Sequence, residues 1–325
     1  MTTLNKIADF LLKQKTFFLA PHERADGDAL GSLLALSRAL SIHGKTAIPL
    51  LLGEVSERYK FLFPNGTLPI VTKTDPIPPA DAIILIDTAV RQQVEPLLPI
   101  LDRHDTKLII IDHHAKCDLN PDLKLIDEKS PAAALIVAKL LTKLKWLDNP
   151  QIAEYLLVGI ASDTGWFSYN NTNADCFSWA AKLCRLGASS SNIYEKLFLS
   201  DSPQRFRLFS KALANTEILA NGKLVVMTLR QKDFQTCGAD QAHTENLIDQ
   251  ASRLKSMLAA ILFVEQSDGI IRISMRSRDP FDVNQFATQF GGGGHKRAAG
   301  MRIKGNIDHV KKKVLSTLEK QLANE

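Results

Sequence analysis

Apolar residues along this chain follow two patterns, short unbroken runs and longer stretches with a helical period. The runs are Phe17–Ala20, Ala82–Ile86 and Leu108–Ile111. Runs this short, without polar alternation, fit strands buried on both faces, as in parallel sheets. Helical periodicity predicts helices over Leu4–Leu12, Ala29–Ile42, Ile152–Ala161, Ala174–Leu186 and Ile193–Leu199. Another begins at Pro131, with apolar residues from Ala132 to Leu144. In Ala29–Ile42 an apolar face holds Leu30, Leu33, Leu34 and Leu40, and Gly44 is placed to end the helix. Thr46–Leu51 reads as a strand, Glu57–Leu62 as a short helix broken by Pro64-Asn65-Gly66, and Asn120–Asp127 as a loop or short strand. Strands alternating with helices predict an α/β fold, a parallel sheet flanked by helices.

The texture changes near residue 200. Ser200-Asp201-Ser202-Pro203 reads as a hinge, followed by a helix from Gln204 to about Ala220. Beyond Asn221-Gly222 come a strand at Lys223–Leu229, helices through Thr236–Gln250, and strands at Ala259–Val264 and Ile270–Met275. Gly269 lies between the last two, as in a hairpin. Asp282 can cap a helix over Val283–Thr288, and a final helix starts near Ile307. The expected organisation is a domain over residues 1–200, a linker helix over 201–220 and a smaller α/β domain over 221–325. The chain shows no internal repeat.

At 325 residues there is room for two such domains. The apolar fraction of 45% and charged fraction of 23% set aside disordered and fibrous classes. Forty basic against 35 acidic residues give a net charge of +5, dispersed except at Lys311-Lys312-Lys313. That balance suits an anionic substrate without requiring one. The four cysteines, Cys117, Cys176, Cys184 and Cys237, form no Cys-x-x-Cys, which predicts reduced thiols and a cytoplasmic protein. Lys13 and Lys15 interrupt any signal-peptide core, and no apolar run approaches the ~20 residues of a membrane span. Neither secretion nor a membrane partner is expected.

The chemistry gathers at strand ends. Leu108–Ile111 ends in Asp112-His113-His114, which is either a polar turn or part of a ligand site. Ala82–Ile86 likewise ends in Asp87, followed by Thr88. After the first strand, Pro21 to Asp28 forms a strand–loop–helix turn that can point His22, Asp26 and Asp28 into one cleft. Asp26 or Asp28 can also serve as the cap of the following helix. An imidazole with carboxylates is a good ligand set for a divalent ion such as Mn²⁺. Asp163, in Ser162-Asp163-Thr164-Gly165 at a helix C-terminus, opposes the helix dipole and reads as a metal ligand.

Further on, Gly291-Gly292-Gly293-Gly294-His295-Lys296-Arg297 sits between a capped helix and a strand-like Ala-Gly-Met-Arg-Ile. Backbone N–H groups of such a loop can approach phosphate oxygens, and His295, Lys296 and Arg297 add cationic donors. A flexible linker is the alternative. Ser274-Met275-Arg276-Ser277-Arg278 ends a strand with groups equally suited to phosphate or to a solvated edge.

With these residues in view, the chain resembles the DHH phosphoesterase family, and more closely its nanoRNase/3′-phosphoadenosine-5′-phosphate (pAp) phosphatase branch, over nearly its full length. His22-x-x-x-Asp26-Gly-Asp28-Ala-Leu-Gly-Ser looks like the first family motif and Asp87-Thr88 the second. Asp112-His113-His114 looks like the third and Ser162-Asp163-Thr164-Gly165 the fourth. Gly291 to His295 with Ala298-Ala299-Gly300 resembles the signature of the DHH-associated C-terminal domain. Ala25 departs from the proline often found there, at no proposed ligand.

The resemblance implies a DHH catalytic domain, a substrate-binding C-terminal domain, and a binuclear Mn²⁺ centre between them, other divalent ions being alternatives. His22, Asp26 and Asp87 would hold one metal, and Asp28, Asp87, His113 and Asp163 the other. Asp112 would orient an imidazole or a water, and His114 would face the substrate phosphate. Substrate binding would fall to Ser274, Arg276, Gly291, Gly292, Gly293, Gly294, His295 and Arg297. The implied activity is hydrolysis of short RNA to mononucleotides, together with dephosphorylation of pAp. The alternative is a phosphodiesterase for cyclic di-AMP or linear pApA. Long nucleic acid is not expected, since RecJ-type exonucleases carry an added module. A catalytically silent nucleotide sensor would be favoured by a missing ligand, and none is missing. Family members are often homodimers.

Overall fold

The computed structural model describes residues 3–73, 75, 79–102 and 106–322, which divide into two compact units, Met1–Ser200 and Asp201–Glu325. In chain order the N-terminal unit contains α1 (Thr3–Lys13), β1 (Thr16–Ala20), α2 (Gly27–Ile42), β2 (Thr46–Pro49) and β3 (Ala82–Ile86). It continues with α3 (Leu98–Leu101), β4 (Lys107–Asp112), β5 (Leu123–Ile126), α4 (Ala133–Leu144), α5 (Pro150–Asp163), α6 (Ala174–Arg185) and α7 (Ser190–Phe198). The five strands are parallel, in the order β2-β1-β3-β4-β5.

The unbroken apolar runs follow from burial on both sheet faces. Phe17, Leu19, Ile84, Ile86, Ile109 and Ile111 enter a core completed by the helices α1, α2, α4 and α5. Phe18, Ile83, Leu85, Leu108 and Ile110 enter a second core with Leu50, Leu52, Val94 and Leu97. Strand order reverses between β1 and β3, so the loops leaving them part and open a crevice at the strands' C-terminal ends. That is where such sheets place ligands.

Helices α2 and α5 meet through glycine. A Cβ on Gly31 would lie 2.4 Å from the Tyr155 carbonyl oxygen, and one on Gly159 would lie 2.5 Å from Ala134 Cβ. Close approach, not flexibility, therefore requires these glycines, and it brings the acids of α2 and α5 to the same crevice. The loop-or-strand segment before α4 is a strand, since β5 pairs with β4. Strand β2 stops at Pro49, and Leu51 makes only an isolated bridge to Ile70.

The C-terminal unit contains α8 (Pro203–Ala214), β6 (Glu217–Leu219), β7 (Leu224–Leu229), α9 (Gln231–Cys237) and β8 (Ala259–Glu265). After these come β9 (Ile270–Ser277), α10 (Val283–Thr288), β10 (Gly293–His295), β11 (Ala298–Lys304) and α11 (Ile307–Leu322). Its mixed sheet has the order β10-β11-β9-β8-β7-β6, parallel at β7–β8 and antiparallel elsewhere. One face packs on α10 and α11 through Phe286, Val310, Val314 and Leu318. The other is covered at β7 and β8 by Leu208 and Ala212 of α8 and by Phe234 of α9.

Three sequence expectations change here. The helix after Pro203 ends at Ala214, because Glu217–Leu219 pairs with β7 and Ala220 and Asn221 turn back with positive φ. The helices expected through Thr236–Gln250 are replaced by α9, closed by left-handed Gly238, and by 3₁₀ turns at Ala242–Thr244 and Leu247–Arg253. The glycine run is not a loop throughout, since Gly293–His295 pairs with β11. Among the described residues no helix is long and apolar enough to cross a membrane, and all four cysteines are free.

Candidate metal centre and phosphate-binding face

His22 and Asp26 leave β1, Asp28 lies in the first turn of α2, and Asp87 follows β3. Asp112, His113 and His114 end β4, and Asp163 ends α5. The structure brings these side chains together. His22, Asp26 and Asp87 each offer a ligand atom within 4.8 Å of the others, as do Asp28, His113 and Asp163, and Asp87, His113 and His114. Nε2 of His113 stands 3.4 Å from Asp87 Oδ1, 3.7 Å from Asp163 Oδ2 and 3.9 Å from Asp28 Oδ2. His22 Nε2 is 3.7 Å from Asp87 Oδ2.

Local structure fixes each group. Asp26 caps α2, accepting from the N–H groups of Asp28 and Ala29. Asp28 caps a different helix, since its oxygens accept from Ala133 N at 2.6 Å and Ala134 N at 2.8 Å, at the start of α4. Asp87 has φ of 62°, a left-handed residue that turns the chain as it leaves the sheet. Such strain in a non-glycine residue is concentrated at functional sites. Asp112 is fully buried, and its Oδ1 accepts from the backbone N–H groups of His113 and His114 and from His114 Nδ1 at 2.8 Å. His114 itself is 53% exposed. His113 Nδ1 lies 3.2 Å from the Ser130 carbonyl. With the Nδ1 proton donated there, Nε2 is aimed at three carboxylates, and a cation among them would take the place of the Nε2 proton, the arrangement of a metal-binding imidazole.

Electrostatics point the same way. Burial pushes the Asp28 carboxyl well up, and the charges of Asp87, Asp163 and Asp26 push it further. Burial, with Asp87 and Asp26, raises Asp163 to about 6 against the opposing pull of His113. Burial alone would lower His113, but contact with Asp87 and the charges of Asp28, Asp87 and Asp163 raise it to about 10. Burial would likewise raise Asp87, yet His113 and His22 hold it below the usual carboxylate range. Asp87 Oδ1 and Asp112 Oδ2 are buried with no hydrogen-bond partner among the described residues. Crowded carboxylates with orphaned oxygens and an imidazole lone pair fit a divalent cation.

In the C-terminal unit the glycines divide by cause. Gly291 has φ of 74°, and a Cβ on Gly292 or Gly294 would lie 2.4 Å from a β11 carbonyl oxygen. A Cβ on Gly293 would meet nothing within 4 Å. Of the four, only Gly293 lacks an internal reason to be glycine. His295 is exposed. Arg297 pairs with Asp279, as does Lys296 at 3.1 Å. Arg276 gives Nε to Asp249 at 2.7 Å and Nη1 to the Met275 carbonyl. Ser274 lies across the ladder from Gly300.

The family model described as DHH family, N-terminal domain, matches residues 16–160, and that described as DHHA1 domain matches residues 221–324. The chain belongs to the DHH family. It is 28% identical to the bifunctional oligoribonuclease and PAP phosphatase NrnA of Thermus thermophilus over 313 residues, covering 94% of this chain and 90% of that protein. An exopolyphosphatase-related protein from Bacteroides fragilis superposes with a TM-score of 0.91 at 21% identity, covering 99% of this chain and 97% of that one. Exonuclease RecJ bound to manganese superposes with a TM-score of 0.56 at 14% identity, covering 100% and 95%. These two likenesses establish a shared fold.

Two supporting groups of this DHH chain escaped the sequence reading. The Ser130 carbonyl fixes the His113 ring, and Asn171 Nδ2 donates to the Asp163 and Pro131 carbonyls at 3.0 and 3.1 Å. Ser130 acts through its backbone, so no side-chain pattern could reveal it. Asn171 lies in a polar Asn-Asn-Thr turn, indistinguishable in sequence from ordinary turn chemistry.

Proposed function

We propose that the protein is a manganese-dependent phosphoesterase that hydrolyses very short RNA to mononucleotides and also removes phosphate from pAp. The chain is a hydrolase by family. The observation that carries the finer reading is the pair of ligand groups, His22–Asp26–Asp87 and Asp28–His113–Asp163, drawn together around Asp87. In this reading His22, Asp26 and Asp87 would hold one Mn²⁺, and Asp28, Asp87, His113 and Asp163 the other; when bound, such ions would supply positive charge for a phosphoryl group and lower the pKa of a water. RecJ, with which the fold is shared, was solved with manganese bound, and the oxygen-rich donor set suits that ion.

The chain's own residues do the rest. Asp112 holds Nδ1 of His114, so the exposed Nε2 edge can donate to a non-bridging oxygen or give its proton to the leaving nucleoside oxygen as the P–O bond breaks. Contact with Asp112 raises the His114 pKa, keeping that proton available. Ser274, Arg276 and His295 supply donors for a terminal phosphate or nucleotide, and the open Gly293 admits it. Gly291, Gly292, Gly294 and Arg297 shape this surface. The domain division at 200 and 220, a cytoplasmic location, a homodimer and exclusion of long nucleic acid belong to the same proposal.

One panel tests it: purified protein with Mn²⁺ or EDTA on RNA dimers to pentamers, pAp, cyclic di-AMP and pApA. Manganese-dependent release of mononucleotides from the RNA oligomers, and of AMP from pAp, is expected. Turnover confined to cyclic di-AMP or pApA would replace the reading with a dinucleotide phosphodiesterase. Light scattering reads the oligomeric state.

A further inference from the structure

Strand β9 alternates strictly: Ile271, Ile273 and Met275 enter the core beneath α10 and α11, leaving Arg272, Ser274 and Arg276 on the opposite face, with Arg278 just past the strand's end. Two of these arginines have partners within the unit. Arg276 pairs with Asp249, and Arg278 donates to the carbonyls of Ser252, Leu254 and Lys255. Arg272 differs. Its Nη2 donates to Thr244 Oγ1, and its Nε is buried with no partner among the described residues. Across the ladder from it stands Arg302 of β11. Among the described residues neither guanidinium forms an ion pair.

Like charges directly opposite in an antiparallel pair are destabilising. Burial first, then Arg302, draws Arg272 below its ordinary arginine value, while the Glu245 carboxylate works the other way. A half-buried guanidinium placed across the ladder from an exposed second cation, with no carboxylate paired to either among the described residues, is a place where an anion relieves the repulsion. Between this pair and Arg276 the face is low, because Gly300 has no side chain opposite Ser274.

We propose that Arg272 and Arg302 form a subsite for a backbone phosphodiester of a bound oligonucleotide, beyond the phosphate assigned to Arg276. This rests on the reading of the protein as a short-RNA phosphoesterase and adds a length preference to it. Same-face residues on a strand are ~6.6 Å apart, so the backbone at Arg272 stands ~13 Å from that at Arg276. The two phosphates of one nucleotide do not span that distance, whereas a chain of three or more nucleotides does. Guanidinium forks suit phosphodiester oxygens, and the row Arg276, Ser274, Arg272 gives the chain a track.

The test uses the full-length manganese enzyme and the variants Arg302→Gln and Arg272→Gln. Arg302 is exposed, so its variant keeps the fold if Arg272→Gln does not. KM for an RNA tetramer is expected to rise roughly tenfold, with pAp and RNA dimers moving less than about twofold. Tetramer binding in EDTA, read by fluorescence anisotropy, should lose about 0.7 from its log–log salt slope per arginine removed. Equal KM increases on pAp, dimer and tetramer, or an unchanged tetramer KM and salt slope, would overturn the subsite. Absence of wild-type turnover on RNA of any length would instead overturn the short-RNA reading, while the anisotropy comparison still reads the subsite.

Discussion

Asp28, Asp87 and Asp112 are buried at 0%, 3% and 0% exposure in the N-terminal unit, whereas the C-terminal unit sets Arg272 and Arg276 half-buried along one strand face, with Arg278 half-buried just past its end. The first arrangement is a negative cage closed in by helices α2, α4 and α5. The second is a half-buried positive strip on a sheet face. Their glycines differ in the same sense. Gly31 and Gly159 permit helix contact under the cage, while Gly293 faces open space beside the strip. A cage of acids demands tight packing to hold its geometry, and a strip that meets a ligand demands vacant room.

The sharpest way to break this contrast is Asp87→Asn. Turnover in Mn²⁺ should fall by about 10³-fold or more, since several kcal/mol of charge stabilisation are lost, with circular dichroism unchanged. Near-wild-type hydrolysis would remove Asp87 from the centre of the scheme. Next comes Gly31→Ala, expected to cost ~1–3 kcal/mol by overpacking against the Tyr155 carbonyl. Gly293→Ala should stay within about 0.5 kcal/mol. Equal shifts in urea midpoint for the two would deny the distinction between packing and open glycines.

A third measurement separates recognition from chemistry. Gly293→Val or His295→Ala should raise KM for dinucleotides about tenfold, roughly one lost contact, and leave a generic small phosphodiester nearly untouched. Losses of equal size on both substrates would argue against a recognition role.

The smallest expected effect is a pH trend in metal-free protein. Asp163, raised from 3.8 to about 6, keeps a proton in the folded state that the unfolded chain releases, so stability falls as pH rises through that window. His113, raised from 6.5 to about 10, gives stability fully present below 6.5 and lost as pH climbs towards 10. Melting temperature in EDTA should therefore decline by a few degrees between pH 5 and 9, and the gain on adding Mn²⁺ should grow with pH. A melting temperature that rises with pH in EDTA would mean the cage does not carry these charges.

Much of the cage was legible in sequence because parallel strands announce themselves. Runs such as Ile83–Ile86 and Leu108–Ile111 end abruptly in an acid, and the sheet's order places those ends together. Asp163 was legible as an acid at a helix terminus where the dipole disfavours it. The second role of Asp28 was not, because its partners, Ala133 and Ala134, are over one hundred residues away and offer only backbone. In the C-terminal unit the hairpin of β9 with β8 around Gly269 was readable, but the pairing of β9 with β11 on its other side was not. Thus Arg276 stood out by its neighbours Ser274 and Ser277, while the opposition of Arg272 and Arg302 depends on a register that no local pattern states. The same limit hid β6, too short to show a period, and the pairing of Gly293–His295 with β11.

The grip of Asp28 on the start of α4 has a consequence for ion choice. A carboxylate free to rotate can switch between one-oxygen and two-oxygen coordination, adapting to ions of different radius. Both oxygens of Asp28 are tethered by amides of a rigid helix, so this corner of the cage cannot swing. If the proposed metals bind here, accommodation of a larger or smaller ion would fall on Asp163, whose side chain is 28% exposed at a helix end. The cage thus has one fixed jaw and one adjustable jaw, a caliper whose fixed side is set by a neighbouring helix.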